Sequence, residues 1–77
     1  MTSITRVEFC RFSINGRLRL LDLFGKIVFE KITTTQAVIV FKLCDFYVAV
    51  TKDLTINFII EAVPLSLNEM LQFYLSQ

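Results

Sequence analysis

The stretch QAVIVFKLCDFYVAVT, residues 36 to 51, constrains the fold of this chain more than any other. Its β-branched and aromatic residues read as strand, yet it is far longer than the roughly five or six residues of an ordinary strand. Read as one straight strand, its alternation sets Asp45 among Ala37, Ile39, Phe41 and Leu43. One extra residue at Cys44-Asp45 changes the parity, and those apolar residues then share a face with Phe46, Val48 and Val50. A bend or β-bulge at Cys44-Asp45 is therefore expected. Two further strands flank the stretch. KIVFEKIT (26–33) ends at the turn-forming triplet Thr33-Thr34-Thr35, and TINFIIEAV (55–63) follows a connection at Thr51-Lys52-Asp53-Leu54. In the latter, Ile56, Phe58, Ile60 and Ala62 alternate with Asn57, Ile59, Glu61 and Val63.

Before the strands, SINGRLRLL (13–21) carries Asn15-Gly16, a strong hairpin signal. A two-residue loop there fails on register. Both faces of the resulting hairpin mix apolar residues with charge, whereas a half-buried hairpin needs one clean side. The helical reading is cleaner. Glu8, Arg11, Asn15, Arg19 and Asp22 fall on one arc, and Val7, Cys10, Ile14, Leu18 and Leu21 form an apolar stripe beside it. Thr5 and Glu8 stand at capping-box spacing, and Gly25 supplies a stop beyond Phe24. One helix over 6–24 is expected, with Gly16 its weak point at about 1 kcal/mol relative to Ala. At the other end, Ser66 and Glu69 repeat the capping-box spacing, flanked by Leu65 and Met70 as a hydrophobic staple. A short helix then buries Leu67, Met70, Leu71 and Tyr74.

The order is α-β-β-β-α: a single α+β domain over residues 1–77, a three-stranded antiparallel meander packed on one face by an N-terminal and a C-terminal helix. The opposite face would carry Val38, Val40, Tyr47, Ala49, Ile59 and Val63. These are too apolar for water, so a second copy of the chain is expected to cover them.

The residue types narrow the chemistry. The chain has no histidine, which removes the commonest general base and metal ligand. Two glycines cannot build a phosphate-cradling loop. Asp45 is the one acid in an apolar neighbourhood, beside Cys44, but a residue bonded to local backbone accounts for it better than a catalytic carboxylate. Cys10 and Cys44 match no metal spacing and have no activating base, so they read as two buried, reduced thiols of a cytoplasmic protein. No catalytic residue, metal ligand or cofactor site is expected. Arg6, Glu8 and Arg11 interrupt the N-terminus before any run reaches signal-peptide length. No uncharged apolar run approaches the roughly 18 residues of a membrane span.

The segment Asp45-Phe46-Tyr47-Val48-Ala49-Val50 resembles the DFYVEV-type strand of a group of short Bacteroidetes proteins. LFGKIVF (23–29), Asn57-Phe58-Ile59 and Tyr74-Leu75 are similar to that group's order of features, and the likeness spans roughly residues 18 to 75. It implies the helix–meander–helix order and no activity. Ala49 stands where an acidic residue is usual in the group, so a role for that acid does not carry over.

What remains is surplus apolar surface. Of the 77 residues, 55% are hydrophobic, more than one small interior can hold. Net charge is only +1, with no basic block, so nucleic acid and anionic membranes find no electrostatic footprint. The expected function is a small non-catalytic protein-interaction module that self-associates, as a homodimer or larger assembly, or that binds another protein. Phe9, Phe12, Leu20 and Leu23 of the first helix and Val38, Val40, Tyr47 and Ile59 of the sheet are the candidate interface. The alternative is a small regulatory nucleic-acid-binding protein that stacks bases on Phe41, Phe46, Tyr47 and Phe58, with Lys42 and Lys52 as thin cationic support.

Overall fold

The computed structural model describes residues 3–76. Its elements run α1 (Arg6–Cys10), α2 (Ile14–Phe24), β1 (Lys26–Ile32), β2 (Gln36–Leu43), β3 (Phe46–Asp53), β4 (Phe58–Leu65) and α3 (Leu67–Leu75). The four strands form one antiparallel sheet in the order β1-β2-β3-β4. The fold class is α+β as expected, with four strands instead of three.

The extra strand comes from residues 36–51. Leu43 pairs directly with Phe46, so Cys44-Asp45 is a two-residue hairpin loop and not a bulge. A reversal of two residues restores the parity as well as one inserted residue does. Phe41, Leu43, Phe46, Val48 and Val50 accordingly meet on one face. Cys44 adopts a positive φ of 56°, as a tight reversal between right-twisted strands requires. The β3–β4 connection also moves, from the expected 51–54 to residues 54–57, where Asn57 takes φ 55°.

The N-terminal helix is two helices. Thr5 and Glu8 form the expected capping box on α1, which ends after Cys10. Ser13 then caps α2 by accepting from the Gly16 amide at 3.2 Å. Asn15-Gly16 therefore lies in the first turn of α2 and not in a hairpin. The break is spanned by Arg17. Its guanidinium donates to the carbonyls of Cys10 (2.8 Å), Phe12 (3.0 Å) and Ala62 (2.8 Å), tying both helices to β4. Rephasing across residues 11–13 turns Phe9 inward in place of Val7 and Cys10, which are exposed.

The core lies between α1–α2 and one face of the sheet. Phe9, Leu21, Leu43, Phe46, Val48, Val50 and Ala62 are buried there, with Ile14, Leu18, Leu20 and Ile59 packed around them. Phe9 meets Phe46 edge to face at 5.8 Å. A bulge in β4 between its partners of Thr51 and Lys52 sets Ile59 opposite Lys52, on the same face as Ala62. The expected alternation had placed Ile59 on the other side.

The helices do not share a face. Register places Phe29, Val40 and Ala49 on the side away from Phe9, and α3 packs there. Phe29 stacks on Phe73 at 5.9 Å and meets Tyr74 at 5.0 Å. Ser66 and Glu69 cap the start of α3 reciprocally. Lys31 closes its end by donating to the carbonyls of Phe73 and Ser76, with its ammonium 4.9 Å from the Phe73 ring. The chain thus covers part of its second sheet face with its own C-terminal helix, while Val63 on that face stays exposed. Of the expected buried stripe of α3, only Met70 is buried.

Candidate interaction surface

Asp45 sits exposed on the β2–β3 loop. Cys10 and Cys44 are free and exposed, not buried as expected, because one lies at the end of α1 and the other in the hairpin loop. Cys44 Sγ accepts from the Ile4 amide at 3.5 Å. Among the described residues no three Cys, Asp or Glu side chains come together as a metal site would require. Nor is any helix among them long and apolar enough to cross a membrane.

Two of the open clefts among the described residues adjoin the helix starts and the β3–β4 loop. The larger, about 450 Å³, lies where the starts of α1 and α3 converge on the β2–β3 loop, lined by Thr5, Arg6, Val7, Asp45, Phe46, Ser66 and Leu67. Each helix start is already closed by its own glutamate, Glu8 or Glu69, so the cleft offers an anion little. The hydrogen bonds from Ser66, its backbone amide first, hold the Glu69 carboxyl below the usual carboxylate range. The smaller cleft, about 300 Å³, lies between α2 and the β3–β4 loop, lined by Ile14, Asn15, Leu18, Lys52, Asn57, Phe58 and Ile59. In that loop the Thr55 hydroxyl, and then its amide, lower the Asp53 pKa.

The candidate interface residues divide by burial. Phe9 is fully buried in the α1–α2 core and Val40 on the opposite side of the sheet, so neither can meet a partner. Leu20, Val38, Tyr47 and Ile59 are half-buried, Leu20 and Ile59 against the α1–α2 core. Phe12 and Leu23 are exposed. The fold does not gather these eight residues onto one surface, since α1–α2 and α3 occupy opposite faces.

Apart from Val7, Phe12, Ile60 and Val63, the large exposed apolar side chains lie in three places. One is the corner where α2 meets β1, with Leu23, Phe24, Ile27 and Val28. A second is the sheet end that carries the β3–β4 loop, with Ile32, Leu54, Ile56 and Phe58, where the Leu54 amide bonds to the Thr35 carbonyl. The third is the flank of α3, with Leu67, Leu71, Tyr74 and Leu75. Sequence reasoning missed the α3 surface. Its signal was a helix apolar nearly all round, with Met70 and Phe73 on one side and the leucines on another.

Comparison with protein-family models, with curated proteins and with solved structures yields no match.

Proposed function

We propose that this chain is a small, non-catalytic interaction module that associates with itself through apolar surface in the cytoplasm. The observation that carries the reading is the area left in water. The chain exposes 5506 Å² at a mass of 8.9 kDa, whereas a compact monomer of this mass exposes about 4,800 Å². The surplus, about 700 Å², approaches the roughly 800 Å² that each partner contributes to a standard interface. Its origin is the flat shape, 39 × 26 × 17 Å, of a single sheet with thin helical layers. Large apolar side chains make up much of that exposure. Two free thiols fit a reducing compartment. Size-exclusion chromatography with light scattering tests the reading. A mass that rises with concentration to twice that of the chain supports it, and a monomer at every concentration overturns it.

A further inference from the structure

We infer that α3 is a strap that opens and closes over the second sheet face while the rest of the fold stays intact, and that Lys31 is the latch that holds it shut. The two helical layers are held in different ways. On one face Phe9 and Leu21 enter a cluster of seven buried residues, and Arg17 ties α1 and α2 to β4. That layer cannot leave without unfolding the domain. On the other face Met70 is the one buried residue of α3, Phe73 is half-buried, and the rest of the helix is exposed. Beneath it Val40 is buried, with Phe29 and Ala49 half-buried. A layer with so few buried contacts opens at a smaller free energy than the core does.

The helix opens as a unit because it does not persist off the sheet. At nine residues it falls short of the roughly 12–15 at which an isolated helix becomes even marginal in water, so release melts it. β4 stays paired with β3 as far as Leu65, and the unravelling therefore stops at Ser66.

The latch is a single charge. Among the described residues, every hydrogen bond that reaches from the sheet to α3 and its C-cap comes from Lys31 Nζ. It donates to the carbonyl of Phe73 at 2.5 Å, to the carbonyl of Ser76, and to the Ser76 hydroxyl at 3.4 Å. All three acceptors lie at the end of the helix, where carbonyls lack helical partners and the dipole favours a cation. The same ammonium stands 4.9 Å from the centre of the Phe73 ring, which stacks on Phe29. Lys31 thus holds both the backbone end of α3 and one of its aromatic anchors. When it lets go, the face of Phe29, Val40 and Ala49 comes into water, and a ligand of that face must first displace α3.

Hydrogen exchange of the dilute full chain, read amide by amide by NMR, tests the device. In wild type the amides from Met70 to Ser76 exchange at least about tenfold faster than those of β2 and β3. Lys31→Met keeps the stem without the charge. It speeds the α3 amides about tenfold further and leaves β2 and β3 unchanged, and Lys31→Arg restores part of the protection. Wild-type α3 amides that exchange in step with β2 and β3 overturn the strap. A Lys31→Met protein whose α3 amides keep their wild-type rate, or whose β2 and β3 amides speed up equally, overturns the latch.

Discussion

The guanidinium of Arg17 donates to the carbonyl oxygen of Ala62 at 2.8 Å, and in doing so joins the break between two helices to a strand 45 residues away. Its other nitrogens take the carbonyls of Cys10 and Phe12, which the end of α1 leaves without helical partners. The Phe9 ring lies 5.5 Å beneath the same guanidinium, so the cation also roofs the core.

Removing this side chain loosens both helices at once. Arg17→Ala is expected to cost about 2 kcal/mol, the discounted sum of three largely solvent-exposed charge-assisted bonds, or about 10 °C in midpoint for a domain of this size. Arg17→Lys recovers less than half, because an ammonium on a single stem cannot span three carbonyls. Thermal melts followed by circular dichroism measure both. Equal stability of Arg17→Ala and wild type would show that the contacts do not hold the helices.

The two left-handed loop residues respond differently to glycine. An L residue at φ 56° costs about 1–2 kcal/mol, and the weak contact of the Cys44 thiol with the Ile4 amide offsets only part of that. Cys44→Gly relieves it, loses the contact with the Ile4 amide and adds chain entropy to the unfolded state, for a net gain of about 0.5 kcal/mol. Asparagine tolerates this region, so Asn57→Gly changes stability by less than that. Urea titration of the two variants side by side tests the contrast, and a Cys44→Gly protein no more stable than wild type refutes it.

The glycines also separate. A Cβ on Gly25 would stand 2.8 Å from the Leu21 carbonyl oxygen and 3.1 Å from Leu21 Cα. Backbone cannot yield there, and Gly25→Ala is expected to cost about 1–3 kcal/mol. A Cβ on Gly16 would meet the ring edge of Phe12 at 3.1 Å. That ring is exposed and can turn aside, so the helix gains most of the roughly 1 kcal/mol by which alanine exceeds glycine. Gly16→Ala should raise the urea midpoint and Gly25→Ala lower it. The same sign for both would be contrary to this account.

Much of this fold is written in local spacing. Thr5–Glu8, Ser66–Glu69 and the Gly25 stop mark helix ends through bonds within one turn, and each is where its spacing places it. The parity shift at Cys44-Asp45 is also legible, but parity alone cannot tell a bulge from a reversal. The length of residues 36–51 was the better guide, since sixteen residues divide into two strands of ordinary size. Counting one strand too few misplaces the last helix as well. In an antiparallel sheet a fourth strand ends where the first begins, so Ser66 emerges beside Thr5. The helix break at Ser13 was masked by an apolar stripe that continues through it. That break sets the phase of α1, and with it whether Phe9 or Val7 faces inward. Surplus apolar surface could be read from composition, but its location depended on these phases. The spacing reads Leu67, Leu71 and Tyr74 as core, but the sheet takes Met70, Phe73 and one side of the Tyr74 ring from that helix and leaves Leu67 and Leu71 exposed.

Acid should weaken the attachment of α3 through its cap. The Ser66 amide and hydroxyl bonds favour the charged form of Glu69, so its folded pKa lies below the unfolded value. A group lowered in this way contributes stability above its unfolded pKa, near 4.3 for glutamate, and loses it as pH falls through the lower, folded value. Asp53, bonded to Thr55, acts with the same sign on the β3–β4 loop. Wild type is therefore expected to lose midpoint temperature below about pH 4.5, where these carboxylates take up protons. Glu69→Gln keeps a side-chain oxygen for the Ser66 amide and does not titrate. It should be somewhat less stable than wild type at pH 7, and the gap should close as pH falls through the lowered, folded pKa of Glu69. Melts of both proteins across that range check the sign, and a gap that stays constant with pH would show that the cap does not depend on the charge of Glu69.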